Sequence, residues 1–499
     1  MKSLWLIALQ LPQLLLAANI LFLNTWNSKS HGLSMKFLAE RLASYGNNVT
    51  IYSMVRKSLG PLGRGVHNLE CVLSADQKTD DTMSVDKVFW FLEMAPEMFE
   101  SPHSIGFQYF EFCLDNEIFK RIMRTSFDLV ILDEMFSTAQ GSIALRLRQK
   151  FGSKIATFTT TDLSSAFSMH RGISRNPVIS PNYYTKGYDM QSFDVGDFWG
   201  RLKTMRDVIA EQYIINIAAN RWLMKAGELL NTTSSYRELF ETSYGTFMDF
   251  PSRYAYPASY CSSIIHVGEH CQEPNELPPD LRKFVEDPNS KGTIYIAFGS
   301  IVNWRVSPPE VIAIFLNVLN SLTSYRIIFS YGGPEVKDIK PHVKILAWAP
   351  QNDILAHNKT ILFFTHGGLK SVKEGVCTNT AMLFLPFFAD QPRNALFARE
   401  LGIAGVIYKK NITVEELSYK INAVLTNPSY GLRTHKLRRQ YLDHVVDPLD
   451  YGSRWALRFI KLNDHHKVYY KNRGRLLSWI SFLYLDAFAG LSLLFIIIS

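Results

Sequence analysis

The chain has 499 residues, which is too long for a single hydrophobic core and predicts two domains. Hydrophobic residues make up 47% and charged residues 20% of the chain, a balance that indicates a globular protein with some enrichment for membrane contact. The net charge of +8 comes without any nucleic-acid-binding motif, so the basic clusters are interpreted as solvated helix faces or a membrane-surface patch.

The five cysteines include no CxxC pair, which gives a zinc site little support. In an oxidising compartment a disulfide such as Cys261–Cys271 is open to the chain, but the sequence alone does not pair its cysteines.

The first 18 residues are typical of a secretory signal peptide. They contain Lys2, an apolar run, and small residues at Ala17 and Ala18, where cleavage is expected. The alternative is an ordinary buried N-terminal strand and helix. We favour the signal, because residues 20–23 already supply a first strand.

That strand opens a βαβ unit. A helical run over residues 33–44 follows it, and a second strand is predicted over 49–54. His31 lies at the start of the helix, in the strand-to-helix loop where such units place ligand chemistry. The alternative reading of His31 is a capping histidine without a chemical role.

A strongly apolar strand over residues 127–132 ends at Asp133 and Glu134. A carboxylate at the carboxyl end of a parallel strand lies on the rim where α/β sheets bind ligands. The alternative is a cap for a helix beginning near residue 137. Both readings stay open at this point.

The second half repeats the α/β alternation. Residues 261–291 form the predicted linker, between a domain of residues 19–260 and one of residues 292–465. Strands that alternate with helical runs favour a parallel sheet covered on both faces. The strands are predicted at residues 293–298, 326–330, 344–346, 361–364, 381–385 and 405–408.

The stretch from Trp348 to Gln391 carries the most specific pattern. The buried strand 361–364 ends in His366-Gly367-Gly368 and opens a helix, which aims bare backbone N–H groups and a positive helix end at one point. That point suits a phosphate. Polar side chains in the first turns of the helix lie within reach of a ribose or a sugar.

This pattern resembles the signature of the UDP-glycosyltransferases, the UDP-glucuronosyltransferase family. The resemblance rests on residue types in the same order and spacing over about forty-four residues, namely Trp348, Gln351, His366, Gly367, Gly368, Ser371, Glu374, Asp390 and Gln391. It implies two Rossmann-like domains facing a cleft, the GT-B type of α/β fold.

The resemblance also implies a UDP-sugar site. In the family the tryptophan stacks on uracil, the histidine and the helix N-terminus hold the diphosphate, the glutamate binds ribose, and the Asp-Gln pair contacts the sugar. Carried over, the donor-binding residues are Gly299, Ser300, Trp348, Gln351, His366, Gly368, Ser371, Glu374, Asp390 and Gln391. Lys370 departs from the pattern, because many members have asparagine there; a cation at this position can still face the diphosphate.

The family's acceptor-activating histidine and its aspartate partner match His31 and Asp133. The implied reaction is inverting transfer of glucuronate or glucose from a UDP-sugar to a hydroxyl of a small lipophilic acceptor. No cofactor is expected beyond the donor substrate, and no metal, because no Asp-x-Asp lies near the phosphate site. The alternatives are a catalytically inactive UDP-sugar or lipophile-binding homologue and a membrane-glycolipid glycosyltransferase. A homo-oligomer stays open.

Residues 476–499 are mostly apolar and predict a single transmembrane helix with one charge, Asp486. By resemblance the chain is placed in the endoplasmic reticulum membrane, with its catalytic domains in the lumen. Sequons at Asn48, Asn231, Asn358 and Asn411 suit that compartment.

Overall fold

A computed structural model describes residues 17–79, 89–93, 95–173, 184, 194–299, 302–469 and 471–498. Most of the predicted signal peptide and the predicted donor residue Ser300 lie outside these ranges.

The first half is built on a seven-stranded parallel sheet with strand order β3-β2-β1-β4-β5-β6-β7. Its central strands are buried on both faces, as expected where helices cover a parallel sheet. The strands are β1 (Asn19–Leu23), β2 (Asn48–Val55), β3 (His67–Val72), β4 (Leu129–Asp133), β5 (Lys154–Thr159), β6 (Thr246–Met248) and β7 (Ile264–His266).

Helices surround this sheet. They are α1 (Lys29–Ser44), α2 (Glu100–Cys113), α3 (Glu117–Arg124), α4 (Thr138–Phe151), α5 (Ser165–His170), α6 (Phe198–Tyr213), α7 (Asn220–Leu229) and α8 (Tyr236–Thr242). A π-helical stretch, Ile214–Ala219, joins α6 to α7, and 3₁₀ turns lie at Pro96–Phe99 and Ser252–Tyr254.

The second half is built on a six-stranded parallel sheet with order β10-β9-β8-β11-β12-β13. The strands are β8 (Thr293–Ala297), β9 (Arg326–Ser330), β10 (Val343–Leu346), β11 (Thr360–Thr365), β12 (Ala381–Phe384) and β13 (Ala404–Val406). The covering helices are α9 (Pro279–Val285), α10 (Pro309–Ser321), α11 (Gln351–Ala356), α12 (Leu369–Cys377), α13 (Gln391–Leu401), α14 (Val414–Thr426) and α15 (Ser429–Tyr441). The two parallel Rossmann-like sheets that the sequence predicts are both present.

Each sheet has a point where the strand order reverses. In the first sheet β1 lies between β2 and β4, and in the second β8 lies between β9 and β11. The helices that follow the two central strands leave toward opposite faces of the sheet there, which opens a crevice at the carboxyl ends of the strands. The first crevice carries His31 and Asp133, and the second carries the Gly-Gly motif.

The two halves exchange elements. Strand β7 lies within the predicted linker but pairs in parallel with β6. Helix α16 (Pro448–Lys461), placed by the sequence in the second domain, buries Leu449 and Phe459 in the core of the first sheet. In return, Trp90 is buried in the core of the second sheet and its indole N–H donates to the carbonyl of Asn303 at 3.0 Å.

The predicted transmembrane helix over residues 476–499 is interrupted. A short helix, α17 (Trp479–Phe482), is separated from α18 (Leu485–Ile498) by a turn in which Tyr484 has a φ of 59°. With 14 residues, α18 is about 21 Å long, whereas the hydrocarbon core of a bilayer is about 30 Å thick. Among the described residues, therefore, no helix combines the length and the apolar character that membrane crossing requires.

Two disulfides cross-link the chain. Cys71 in β3 pairs with Cys113 in α2, and Cys271 after β7 pairs with Cys377 at the end of α12. Cys261 is free, so the Cys261–Cys271 pair is not formed. The second bond attaches the connection between the two sheets to the helix of the Gly-Gly motif.

We expect alkylation of the native protein, produced in an oxidising compartment, to label Cys261 alone before reduction and all five cysteines after reduction and unfolding. Peptide mass spectrometry locates the label. Substitution of both Cys271 and Cys377 by serine should lower the free energy of unfolding by about 2–4 kcal/mol, because the unfolded chain loses a cross-link. Labelling of Cys271 in the unreduced native protein would contradict this pairing.

Candidate active site at the facing crevices

A histidine and a carboxylate meet at the crevice of the first sheet. His31 lies in the first turn of α1, where its backbone N–H donates to the side chain of the cap residue Ser28 at 3.3 Å. Asp133 ends β4 and is fully buried. Since β1 and β4 are neighbours, the helix that follows β1 carries His31 over the end of β4, and its Nδ1 lies 2.5 Å from Oδ2 of Asp133.

The surroundings of this pair determine which histidine nitrogen is basic. Asp133 also accepts a hydrogen bond from the backbone N–H of Met135 at 3.1 Å, which orients the carboxylate. Thr160 Oγ1 lies 3.2 Å from the same Nδ1. A proton on Nδ1 that is donated to Asp133 leaves Nε2 as the basic nitrogen. The His31 side chain is 18% exposed, so the ring is reachable from the crevice.

The crevice of the second sheet holds the Gly-Gly motif. His366 follows β11, and its ring lies between two glycines, Gly299 and Gly368. A Cβ added at Gly368 would lie 2.5 Å from Nε2 of His366, and one added at Gly299, where φ is 72°, would lie 3.0 Å from Cε1. Only glycine permits this approach.

Gly368 caps α12, so the backbone N–H groups of the first turn are directed at this crevice. Burial lowers the pKa of His366 to about 4, which makes the imidazole neutral near pH 7. His366 can therefore donate or accept a hydrogen bond there, but it does not bring a positive charge. Ser371, on the same helix, is buried.

Two further residues predicted to bind the UDP-sugar, Gln351 at the start of α11 and Glu374 on α12, contact each other. Gln351 Nε2 donates to Oε2 of Glu374, and Gln351 Oε1 accepts from the hydroxyl of Tyr295 at 3.3 Å. Burial raises the pKa of Glu374, and the hydrogen bond from Gln351 opposes that shift. Trp348 is 73% exposed, so a face of its indole is open for stacking.

The Asp-Gln pair opens α13. Asp390 is buried, which raises its pKa, and it accepts a hydrogen bond from Asn394 Nδ2 at 2.8 Å. The same Asn394 nitrogen donates to the carbonyl of Gly367 at 3.0 Å, which ties this helix to the Gly-Gly motif. Gln391 Oε1 accepts from the backbone N–H of Phe387 at 2.9 Å, so its carbonyl shapes the loop before α13.

Lys370 is the departure from the family pattern. Its Nζ is buried and has no hydrogen-bond partner among the described residues. The pKa of this ammonium group is lowered to about 7, chiefly by burial and also by the neighbouring Lys373, while Asp249, Glu374 and Asp133 oppose the shift. A buried cation near the positive end of a helix is unfavourable unless an anion lies close to it, and the nearby carboxylates of the protein neutralise this charge only in part.

Two ion pairs join the halves beside this site, and the sequence analysis missed both. Lys373 Nζ on α12 lies 2.6 Å from Oδ1 of Asp249, which follows β6, and Arg393 on α13 pairs with Asp162, which follows β5. All four side chains are almost fully buried. Asp162 and Asp249 lie just after the carboxyl ends of parallel strands, as Asp133 lies at one. Their position in the sequence therefore predicts, as for Asp133, that they lie on the ligand-binding rim of the sheet.

Clusters of three or more histidine, cysteine, aspartate or glutamate side chains that could hold a metal ion do not occur in the part of the chain that the structure describes. The site as described consists of a histidine–carboxylate pair on one rim and, on the other, backbone donors, a buried cation and polar side chains. It can activate a hydroxyl on one side and bind a nucleoside diphosphate on the other, which defines a two-domain transferase of the GT-B class.

The comparison with known proteins agrees with that class. The family model described as UDP-glucoronosyl and UDP-glucosyl transferase matches residues 20–498, and the chain belongs to this family. UDP-glucuronosyltransferase 2A2 of Homo sapiens is 24% identical over 469 residues, covering 90% of this chain and 84% of that protein. UDP-glucuronosyltransferase 2A1 of Rattus norvegicus is 24% identical over 502 residues, covering 97% and 92%.

The solved structures show the same fold at low identity. Phytolacca americana UGT2, complexed with UDP-2fluoro-glucose and pterostilbene, superposes with a TM-score of 0.59 at 14% identity and covers 89% of this chain and 100% of that one. The calicheamicin glycosyltransferase CalG4 gives a TM-score of 0.57 at 15% identity, covering 89% and 99%.

If the buried ammonium of Lys370 faces the diphosphate, binding of a UDP-sugar should depend on pH. A diphosphate binds the charged ammonium form, which prevails below the pKa of about 7 in the free protein. We therefore expect the affinity for UDP-glucose to be highest below pH 7 and to fall as pH rises to 9, by up to tenfold per unit. Calorimetric titration across this range measures it.

Two substitutions control for that effect. Lys370→Arg keeps the positive charge across this pH range, so its affinity for UDP-glucose should stay high and should not change with pH. Lys370→Asn should also remove the pH dependence of UDP-glucose binding. Its affinity should be roughly tenfold or more below that of the wild type at pH 7, because a hydrogen bond to a charged group is lost. A pH profile of Lys370→Asn that keeps the wild-type slope would show that another group titrates.

Proposed function

We propose that this protein transfers the sugar of a UDP-sugar, glucuronate or glucose, to a hydroxyl of a small lipophilic acceptor, with inversion at the anomeric carbon. The observation that carries the proposal is the contact between His31 and Asp133 on the rim facing the Gly-Gly motif. Binding a UDP-sugar needs only the second crevice. A buried carboxylate that orients a partly exposed histidine adds the group that a transfer reaction requires.

In this mechanism His31 Nε2 accepts the proton of the acceptor hydroxyl as its oxygen attacks the anomeric carbon. The bond from that carbon to the β-phosphate oxygen breaks, and its electron pair leaves with UDP. Asp133 keeps the proton on Nδ1 and stabilises the imidazolium that forms. Attack opposite the leaving group inverts the anomeric centre.

On the donor side, the N-terminal backbone of α12 and the ammonium of Lys370 offset the charge that grows on the departing diphosphate. His366, neutral through burial, supplies a hydrogen bond and no charge. We assign uracil stacking to Trp348, ribose binding to Glu374, and sugar contacts to Asp390. Gln391 acts in this scheme through the loop that its carbonyl holds.

We also propose that the protein works in the lumen of the endoplasmic reticulum, held on its membrane by the apolar C-terminal segment. The two disulfides suit an oxidising compartment, and all four sequon asparagines are exposed. The large apolar side chains of α18, including Phe488 and Phe495, are exposed to solvent in the folded chain, so they are available to lipid.

The His31→Ala variant should turn over ~10²–10⁴-fold more slowly than the wild type while its affinity for UDP stays close to the wild-type value, because a general base contributes in the transition state and not in donor binding. Release of UDP, assayed with UDP-glucuronate and UDP-glucose and a panel of lipophilic hydroxyl acceptors, measures turnover, and calorimetry measures binding.

Asp133→Asn is the matched variant. It should also be slow, because asparagine can favour the wrong imidazole tautomer, and the double variant should be little worse than the slower single one, since the two residues act as a unit. Normal turnover by His31→Ala would refute the mechanism. A wild-type protein that binds UDP-sugars but transfers none would support the binding-protein alternative.

The full-length chain should remain with the membrane fraction after alkaline carbonate extraction, because carbonate removes proteins held by charge but not those inserted in lipid. A luminal protein without an apolar tail serves as the extraction control. Quantitative release of the intact chain into the wash would show that the C-terminal segment does not anchor it.

A further inference from the structure

A short segment from the first half of the chain packs on the second domain. Residues 89–93 lie between β3 and the 3₁₀ turn Pro96–Phe99. Phe99 is buried in the core of the first sheet, whereas Trp90 is buried in the core of the second. We call residues 89–93 the strap, because the chain leaves the first domain here, contacts the second and returns.

Trp90 lies between two loops of the second domain. Its indole N–H donates to the carbonyl of Asn303 at 3.0 Å, in the connection that follows β8. Its ring packs edge-on against Phe387, in the loop that follows β12, with the two ring centroids 4.8 Å apart. The carboxyl ends of parallel strands form the ligand-binding rim of such a sheet, so the strap holds this rim and not a remote surface.

Lys409 ties the strap to the loop that follows β12. It lies in the 3₁₀ turn Lys409–Asn411, and its Nζ donates to the carbonyls of Phe89 and Leu92 in the strap. The same Nζ donates to the carbonyl of Phe387 in the loop at 3.2 Å. An ammonium group has three hydrogens to donate, and these three carbonyls accept them all. The rings of Phe89 and Phe388 are also stacked, with centroids 3.8 Å apart.

The loop that the strap holds ends at Asp390, the proposed sugar contact. Ala389 has a φ of 55°, a left-handed conformation that is costly for a residue with a side chain and persists where the surroundings fix it. From inside the second domain, Gln391 Oε1 accepts from the backbone N–H groups of Phe387 and Phe388 at 2.9 and 3.3 Å. The strap supplies the other support, through the Phe387 carbonyl and both phenyl rings.

We propose that the strap is a positioning element for sugar transfer, which holds the loop of residues 387–390 in the form that binds the donor sugar, with Trp90 and Lys409 as its positioning residues. This inference rests on the proposed function, because the loop matters for transfer only if Asp390 contacts the sugar. The strap acts on the sugar end of the donor, whereas Trp348 and Glu374 are assigned to the UDP end. Since the strap comes from the first domain, recognition of the sugar is complete only while the two domains are in contact.

The test compares the full-length wild type with Lys409→Met, which keeps an unbranched side chain and removes the three hydrogen-bond donors. The matched control is Lys410→Met, the same change at the next residue. The Nζ of Lys410 pairs with the carboxylate of Glu93 at 3.6 Å, and its side chain is 50% exposed, so this ion pair contributes little. Calorimetric titration without an acceptor gives the Kd of each protein for UDP, UDP-glucose and UDP-glucuronate.

For Lys409→Met we expect a Kd for UDP within about twofold of the wild type and a Kd for the UDP-sugar that is roughly fivefold higher or more, because only the sugar contacts are displaced. Lys410→Met should leave both values close to those of the wild type. An equal rise of both Kd values in Lys409→Met would overturn the proposal, because it would show a general role of this lysine in the fold. Unchanged Kd values for all three ligands would overturn it as well.

Hydrogen exchange gives a second readout that needs no ligand. In Lys409→Met the backbone amides of residues 387–391 should exchange faster than in the wild type, while those of β11 should not, because only the support of the loop is lost. Trp90→Phe, which keeps a ring in the core and removes the indole N–H, should give a smaller change of the same kind. Unchanged exchange at residues 387–391 in both variants would overturn the proposal.

The two readouts separate this proposal from the proposed function. A wild type that binds UDP but no UDP-sugar would refute the proposed function. Faster exchange at residues 387–391 in Lys409→Met would still support the strap in that case.

Discussion

The structure depends on charges buried between its two halves. Lys373 with Asp249 and Arg393 with Asp162 each join a helix of the second domain to a strand end of the first. Removing one partner of a buried pair costs about 3–5 kcal/mol, because the other charge is left without water or a counter-ion. Such pairs are weak evidence for stability, but they define one relative position of the domains, the one in which both charges are satisfied.

That position gives the candidate site its form. Arg393 lies two residues after Gln391, and Lys373 is adjacent to Glu374, so the residues that join the domains share helices with the proposed donor contacts. Burial raises the pKa of Asp390, and the hydrogen bond from Asn394 and the positive form of the nearby His31 oppose that shift. The proposed base and the proposed sugar contact therefore face one another because the ion pairs hold the two rims together. Donor binding and domain position are physically linked in this arrangement.

The first domain also holds the start of the C-terminal apolar segment. Helix α16 packs on the sheet of the first domain. The chain then runs along α5 and α8 of that domain, where the C-terminal segment begins.

The sequence by itself determined the two parallel sheets and the family. Apolar runs of strand length alternate with helical runs, and the residues from Trp348 to Gln391 keep an order that chance spacing does not produce. The sequence did not predict the short or partly exposed strands. Strand β3 is partly exposed, and β6 and β7 have three residues each, too few for an alternating pattern to be recognised. The tertiary structure alone decided the exchanged elements, the disulfides, the break before α18 and the interdomain ion pairs. It also brought His31 within 2.5 Å of Asp133, two residues 102 positions apart. These are contacts between distant segments, and a local pattern specifies which face of an element is apolar but not which partner covers it.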